Sequence, residues 1–385
     1  MGAILYTSNQ SFFVKTDAEV NEFTSERIST YINTIKKINQ KNEWKTSGAG
    51  AKFMNAYVPA YDDEATRKDV SINGVARYGE DIIYSATTGE ISGLFKKVLQ
   101  NNMAEGLVIS NRDMQIYKLS VRDDKCAASI GLNNERHIAI FNIETGSYRE
   151  LTEGEVIEDY PSYSNDGSII YFSSAGLAIS YNGFTIGVGP YGIFCYHIQS
   201  NEMDEMLASE KHDYIAPKED KDGNLLFIKR PYKGAVKDGN IFMDILMFPI
   251  RIIRAIGGLL NYFSIMFGGE SLRSGRTARD VKAKQRSEKD IFFDGNVISA
   301  QEMQKASVRR GEKFPGIIPH SWELIRLDED GNQHCLKKGV MDYIVCKNGD
   351  IVYSNGSAII RLLKDGSEHL IEKCRMANNL VEVGN

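Results

Sequence analysis

The chain has 385 residues, a formal net charge of −5 and 42% apolar residues, enough to bury a large core. That balance excludes global disorder, and it excludes a nucleic-acid binder built on bulk positive charge. Five cysteines (Cys126, Cys195, Cys335, Cys346 and Cys374) are odd in number and scattered, with no CxxC pair. They read as small apolar residues in a reducing compartment rather than as a disulfide or zinc framework.

The chain opens on MGAILYTS, a glycine followed by an apolar run, an aromatic and small polar residues. The opening stretch lacks the basic region and apolar core of a signal peptide, and Tyr6 breaks the myristoylation pattern, so the expected location is cytoplasmic. Residues 18–45 are expected to form a helical excursion. Val20, Phe23, Ile28, Ile32, Ile35 and Ile38 make its apolar stripe, which suits packing against the rest of the domain.

The opening pattern then returns as YGEDIIYS (78–85), DGSIIYFS (166–173), DGNLLFIK (222–229) and NGDIVYSN (348–355). Gly79 and Gly167 lie 88 residues apart, room for two units of 44, and the midpoint falls on the turn Arg122-Asp123-Asp124. Gly223 to Gly349 is 126, which returns to a period near 40 once an insertion of about 85 residues is removed. Each unit continues with a third run and a charged fourth one, as in HIAIFNIETGSYRELTEG (137–154) and WELIRLDEDGNQHCLKKG (322–339). Four short strands per unit of 40–45 residues is the spacing of a β-propeller blade. NLVEVGN (379–385) is a strand with none after it, and MGAILYTSN is the following strand with none before it. Placed together they complete one blade, a device that leaves no open edge. The reading is an all-β chain, residues 1–385 as a single six-bladed β-propeller closed by its N- and C-terminal strands, with a helical insertion in the fifth unit.

No catalytic, cofactor or metal site is visible in this pattern. Around Gly223 and Gly331 a calcium loop would place Lys218 and Arg326 first and Lys229 and Lys337 twelfth, which fails at both ends. DKDGN and DEDGN are therefore hairpin turns. No two of the six histidines fall within five residues of each other, so no metal pair shows. The nearest approach to a G-x-S-x-G elbow, Gly269 to Arg273, ends in arginine and lies in no strand-turn-helix unit. GVGPYG (187–192) fits neither phosphate-loop pattern and reads as a loop between strands.

The insertion, residues 233–318, breaks the pattern. Phe248 stands before Pro249, and Ile252, Ile256, Leu259, Phe263 and Met266 follow on one helical face. Residues 273–289 then carry seven basic residues and two acidic ones, Arg273, Arg276, Arg279 and Lys282 among the basic. The helix can pack on its own propeller, dock a protein partner or lie on an anionic membrane. A spanning helix is disfavoured, because Arg251 and Arg254 would cost about 2.5–3.5 kcal/mol each near mid-bilayer.

Asp159, Pro161, Ser162, Tyr163, Ser164, Asp166, Gly167, Ile170, Tyr171 and Ser173 resemble the blade motif of the TolB-like, or WD-repeat-like, propellers, with Asn165 where that family often has proline. FMDILMFPIRIIRAIGGLLNYFSIMF, after IKRPY, is also similar to a propeller variant found in bacterial gene clusters with MoxR-type ATPases and von Willebrand A proteins. The resemblance implies a scaffold or adaptor with a protein partner, such as an AAA ATPase system; with no catalytic motif in the chain, no enzymatic activity and no cofactor are expected. The alternative is a propeller enzyme or small-ligand binder whose site sits in the central channel.

Overall fold

The computed structural model describes residues 2–46, 70–100, 104–132, 135–179, 185–233 and 290–384. They divide into two compact units, one of residues 1–232 with 301–385 and one of residues 233–300. The first unit opens with β1 (Ala3–Ser8), β2 (Ser11–Lys15) and β3 (Val20–Phe23), then α1 (Glu26–Thr46). β4 (Val70–Tyr78), β5 (Asp81–Thr88), β6 (Ile91–Lys97) and β7 (Glu105–Asn111) form a four-stranded antiparallel meander. A second meander follows in β8 (Gln115–Arg122), β9 (Lys125–Leu132), β10 (Glu135–Asn142) and β11 (Tyr148–Glu150). A third is β12 (Val156–Tyr163), β13 (Ile169–Ile179), β15 (Gly192–His197) and β16 (Glu202–Leu207). The short β14 (Thr185–Val188) pairs with the end of β13, and a single parallel bridge joins Arg136 to Ile157.

β17 (His212–Glu219) and β18 (Leu225–Pro231) come next, and β18 pairs in unbroken register with β21 (Glu323–Leu327), reached only after residues 232–322. β22 (Gln333–Lys338) completes that sheet. The last meander is β23 (Asp342–Val345), β24 (Ile351–Ser354), β25 (Ile359–Leu362) and β26 (Glu368–Glu372). β27 (Asn378–Val383) then pairs with β1, Ala3 against Val383 and Leu5 against Val381. In the other unit, β19 (Asp290–Phe293) and β20 (Asn296–Ser299) form a hairpin over Asp294-Gly295, both at positive φ as a tight two-residue turn requires.

Burial grades across each sheet. Second strands are apolar on both faces: Ile82 to Ala86 of β5, Cys126 to Ile130 of β9 and Ile351 to Ser354 of β24 are all buried. Such strands read as continuous apolar runs because both faces meet a neighbouring sheet. The outer strands β16 (EMDEML) and β22 (QHCLKK) are largely exposed and rich in charge, which protects their free edges. The apolar clusters lie between consecutive sheets: Leu5, Phe12, Tyr84 and Phe95 make one, and Ile4, Tyr6, Ile344 and Val352 another. The turns Gly167 and Gly223, at φ +76° and +89°, are as read from the sequence.

The helix differs from expectation at its start. Residues 20–23 are a strand, since Phe23 stacks on Phe12 at 5.2 Å, and α1 begins at Glu26. Its N-terminus is held by one carboxylate from β7. Glu105 accepts the amides of Glu26 and Arg27 at 3.2 and 3.0 Å, and Ser25 Oγ caps the Ile28 amide at 3.2 Å. Ile28 is buried in the core, Ile32 and Ile35 are half-buried, and Ile38 is exposed, so only the first turns of the stripe are used.

The boundary of the insertion also shifts. α2 (Ala300–Arg309) leads into a segment whose Ile317 and Ile318 are buried. Gly316 donates to Ser307 Oγ at 3.0 Å, and Asn355 Nδ2 donates to the Phe314 carbonyl at 2.8 Å. Residues 301–318 therefore belong to the first unit, not to a separable insertion.

Two tests follow from these contacts. Deleting residues 378–385 strips β27 from β1 and exposes a ladder of unpaired amides. Size exclusion and chemical denaturation should then show association and a lost cooperative transition; a soluble, cooperatively unfolding monomer would contradict the pairing. The second concerns Glu158, 2% exposed on β12, whose carboxyl burial pushes up from 4.5 to about 7 against the hydrogen bond from Thr152. The folded state then holds a proton that the unfolded chain has released, so this group costs stability as pH rises from about 4.5 to 7, by up to about 3 kcal/mol. Glu158→Gln should raise Tm at pH 8 and change it little at pH 4.5, as followed by circular dichroism.

Candidate functional site

The first strands of successive sheets lie side by side: β4 by β8, β8 by β12, β12 by β17, β17 by β23, β23 by β27 and β27 by β4. They converge on one cavity of about 60 Å³, lined by side chains that include Lys118, Tyr160, Lys218, Asp342 and Asn379. Bulges shape this centre. The register slips between Asp159 and Ser162 and between Ile215 and Lys218, and Tyr160, Ala216 and Asn379 take left-handed φ of 58°, 55° and 52°. A bulge re-aims a side chain, and here the bulged segments turn residues toward the axis.

Each polar group at the centre is engaged. Lys118 Nζ donates to Asn379 Oδ1 at 2.6 Å, while Asn379 Nδ2 donates to Thr7 Oγ1 at 3.0 Å. Lys218 donates to the Tyr343 carbonyl, and Tyr343 Oη lies 2.7 and 2.8 Å from the Ala216 and Leu226 carbonyls. Asp342 accepts the Tyr343 and Leu380 amides at 2.8 and 3.0 Å. Burial pulls the Lys218 ammonium below its ordinary range, Asp342 opposes that, and Lys118 adds to it. The carboxylate accepts one amide on each oxygen, which ties β23 to β27. A cavity of about 60 Å³ is also far below the roughly 300–1,000 Å³ of small-molecule sites.

Two ion pairs, one half-buried and one buried, reach these leading strands. Arg136 pairs with Asp159, whose other oxygen accepts the Tyr160 amide at 2.9 Å, and the guanidinium lies 3.7 Å from the Tyr117 ring centre. Arg230 pairs with Asp213 at 3.0 Å, and Asp213 accepts the Tyr191 amide at 3.1 Å. The Arg230 guanidinium sits 4.9 Å over Trp322. These planar stacks suit arginine and tie β12 to β10 of the preceding meander and β17 to its neighbour β18. A separate pocket of about 330 Å³ is lined by Val14, Phe23, Leu99, Gln100 and Val383 with Asn21 and Glu80.

A further cluster was invisible to the sequence reading, which looked for histidine pairs. Cys195 and His197 share one face of β15, and Asp204 stands opposite Cys195 on β16. Their ligand atoms lie within 4.8 Å of one another. All five cysteines are free thiols. The docking residues read from the sequence, Phe248, Ile252, Ile256, Leu259, Phe263, Met266, Arg273, Arg276, Arg279 and Lys282, lie outside the described residues, as does the segment Gly269–Arg273. Among the described residues, no helix is long and apolar enough to cross a membrane.

No protein-family model matches the sequence, and no curated protein does. Among solved structures, TolB from Acinetobacter baumannii aligns over 99% of this chain with a TM-score of 0.53 and 11% identity. The chain spans 66% of that protein's length. A putative TolB from Agrobacterium tumefaciens aligns over 62% of this chain and 68% of its own, at 16% identity and a TM-score of 0.38. A chain of the nidogen/laminin complex aligns over 99% and 98%, at 6% identity and a TM-score of 0.48. Identity this low speaks of architecture alone: the chain has the β-propeller fold that TolB carries.

Proposed function

We propose that this protein is a non-enzymatic interaction scaffold, a six-bladed β-propeller closed by β27 and β1, whose docking element is carried between β18 and β21. The observation that carries this reading is the centre of the first unit, where Lys118, Lys218, Asp342 and Asn379 leave only about 60 Å³. A propeller enzyme places its chemistry where the strands converge, and here that space is taken up by inter-strand hydrogen bonds. The cyclic neighbourhood of the six leading strands supports the blade count, and the β27–β1 ladder supports closure.

The unbroken β18–β21 register supports docking through the excursion, because the two strands pair without needing its residues. Its apolar residues Phe248, Ile252, Ile256, Leu259, Phe263 and Met266 are the contact we assign to a protein partner, and the basic Arg273, Arg276, Arg279 and Lys282 would meet acidic groups on that partner. A MoxR-type ATPase, which the sequence resemblance implies, would be a partner of this class. Five free thiols support a reducing, cytoplasmic setting. A second reading, small-ligand binding, has the pocket of about 330 Å³ beside Phe23 and Val383 in its favour.

Replacing residues 234–289 with a Gly/Ser linker should leave a folded, cooperatively unfolding protein, since loop closure at this length costs little. Ile252→Asp with Phe263→Asp should abolish the partner complex in pull-down experiments, and the wild-type complex should persist at high salt because apolar area drives it. A complex that survives the double substitution would overturn the assignment. Salt-reversible binding to anionic vesicles in place of a protein would overturn it in favour of a lipid surface.

A further inference from the structure

We propose that Cys195, His197 and Asp204 bind a divalent cation of the zinc class on the outer hairpin of the β12–β16 sheet. The sequence places two donors at i and i+2 on β15, and strand alternation puts both on one face. The antiparallel register sets Asp204 directly across from Cys195 and Glu202 across from His197, so that face also carries two carboxylates.

The distances fit a metal better than they fit a catalytic triad. Cys195 Sγ lies 3.7 Å from His197 Nε2, and Asp204 Oδ2 lies 3.3 Å from the same nitrogen. A nucleophile–base–orienter arrangement needs the thiol and the carboxylate on different ring nitrogens. Here both meet Nε2, so the ring does not stand between thiol and carboxylate and cannot relay a proton from one to the other through its two nitrogens. Three lone pairs converging on one point are what a cation requires. Zinc bonds of about 2.3 Å to sulfur and about 2.0 Å to nitrogen and oxygen, at tetrahedral angles, separate ligand atoms by about 3.3–3.6 Å. The separations of 3.7 and 3.3 Å need only small adjustments to reach that range.

The donor types select the ion. Thiolate and imidazole disfavour magnesium and calcium, whereas a Cys, His and carboxylate set suits zinc. On binding, the thiol proton passes to solvent, and thiolate and carboxylate together neutralise the dication. The Cys195 side is closed by Tyr214, Phe227 and Ile325 of the apolar cluster it belongs to. The Asp204 side chain is 69% exposed and that of His197 38% exposed, so the fourth position faces water. A cation held there links exposed β16 to buried β15 and leaves one site for water or an incoming donor atom.

The test uses the full chain, stripped with a chelator and titrated with cobalt(II) chloride. One equivalent should produce a sulfur-to-cobalt charge-transfer band with the intense visible bands of tetrahedral cobalt, and zinc chloride should bleach both. Cys195→Ser and His197→Gln should each lose the charge-transfer band, and Cys335→Ser should keep it. Asp204→Asn should weaken cobalt binding roughly 10-fold or more. Zinc should raise the Tm of the wild-type chain in a concentration-dependent way and leave that of His197→Gln flat. Because His197 and Asp204 are partly or largely exposed, those two variants keep the test decisive if Cys195→Ser fails to fold. No charge-transfer band in the wild-type chain, or a band that survives in His197→Gln, would overturn the site.

Discussion

The second strand of every sheet is apolar on both faces, and that single constraint organises the first unit. A strand such as β5 or β24 cannot be satisfied by its own sheet, because hydrogen bonding to β4 and β6 covers its edges and not its faces. Each sheet must find a neighbour on either side. Tyr84 and Ile82 meet Leu5 and Phe12 in one direction, and Ile83 of the same strand meets Ile116 and Ile130 in the other. The charged outer strands and the polar axis are what remains once those faces are matched. Lys118 and Lys218 are tolerated at the centre only because Asn379 and the Tyr343 carbonyl receive them.

Much of this was legible in the chain. Glycine before an apolar run located the second strands, because a tight turn needs a positive φ and a strand buried on both faces needs an unbroken apolar sequence. The charged fourth runs located the outer strands for the converse reason. Less legible was the start of α1, where Val20–Phe23 follow helical spacing but are captured by β2 through Phe12. Local pattern lost there to tertiary packing. The end of the insertion is hard to read for the same reason, since Ile317 and Ile318 do not resemble a strand yet are buried.

The axial cluster and the outer hairpin escaped the sequence for a different reason. Lys118, Lys218, Asp342 and Asn379 come from four strands far apart in sequence, and each reaches the centre through bulges or strand ends that no residue type announces. Tyr160, Ala216 and Asn379 hold left-handed backbone without being glycine. The Cys195–His197 spacing is short, but its meaning depends on Asp204 arriving from across a turn. Its signal in the chain is a pair of donors at i and i+2 on a hairpin strand rather than a pair of histidines.

The ladder between β27 and β1 also has a temporal side. Thr7 hydrogen-bonds to the Asn378 carbonyl, 371 residues later. At ribosomal rates of about 5–20 residues per second, β1 waits roughly 20–75 s before its partner strand exists. Throughout that interval Ile4, Leu5 and Tyr6, all buried in the finished protein, belong to a strand with one bare edge. β18 meets the same delay on a smaller scale, until β21 emerges. Between the synthesis of β18 and that of β21 the nascent chain therefore carries two open edges at once, and from β21 to β27 it still carries the edge of β1.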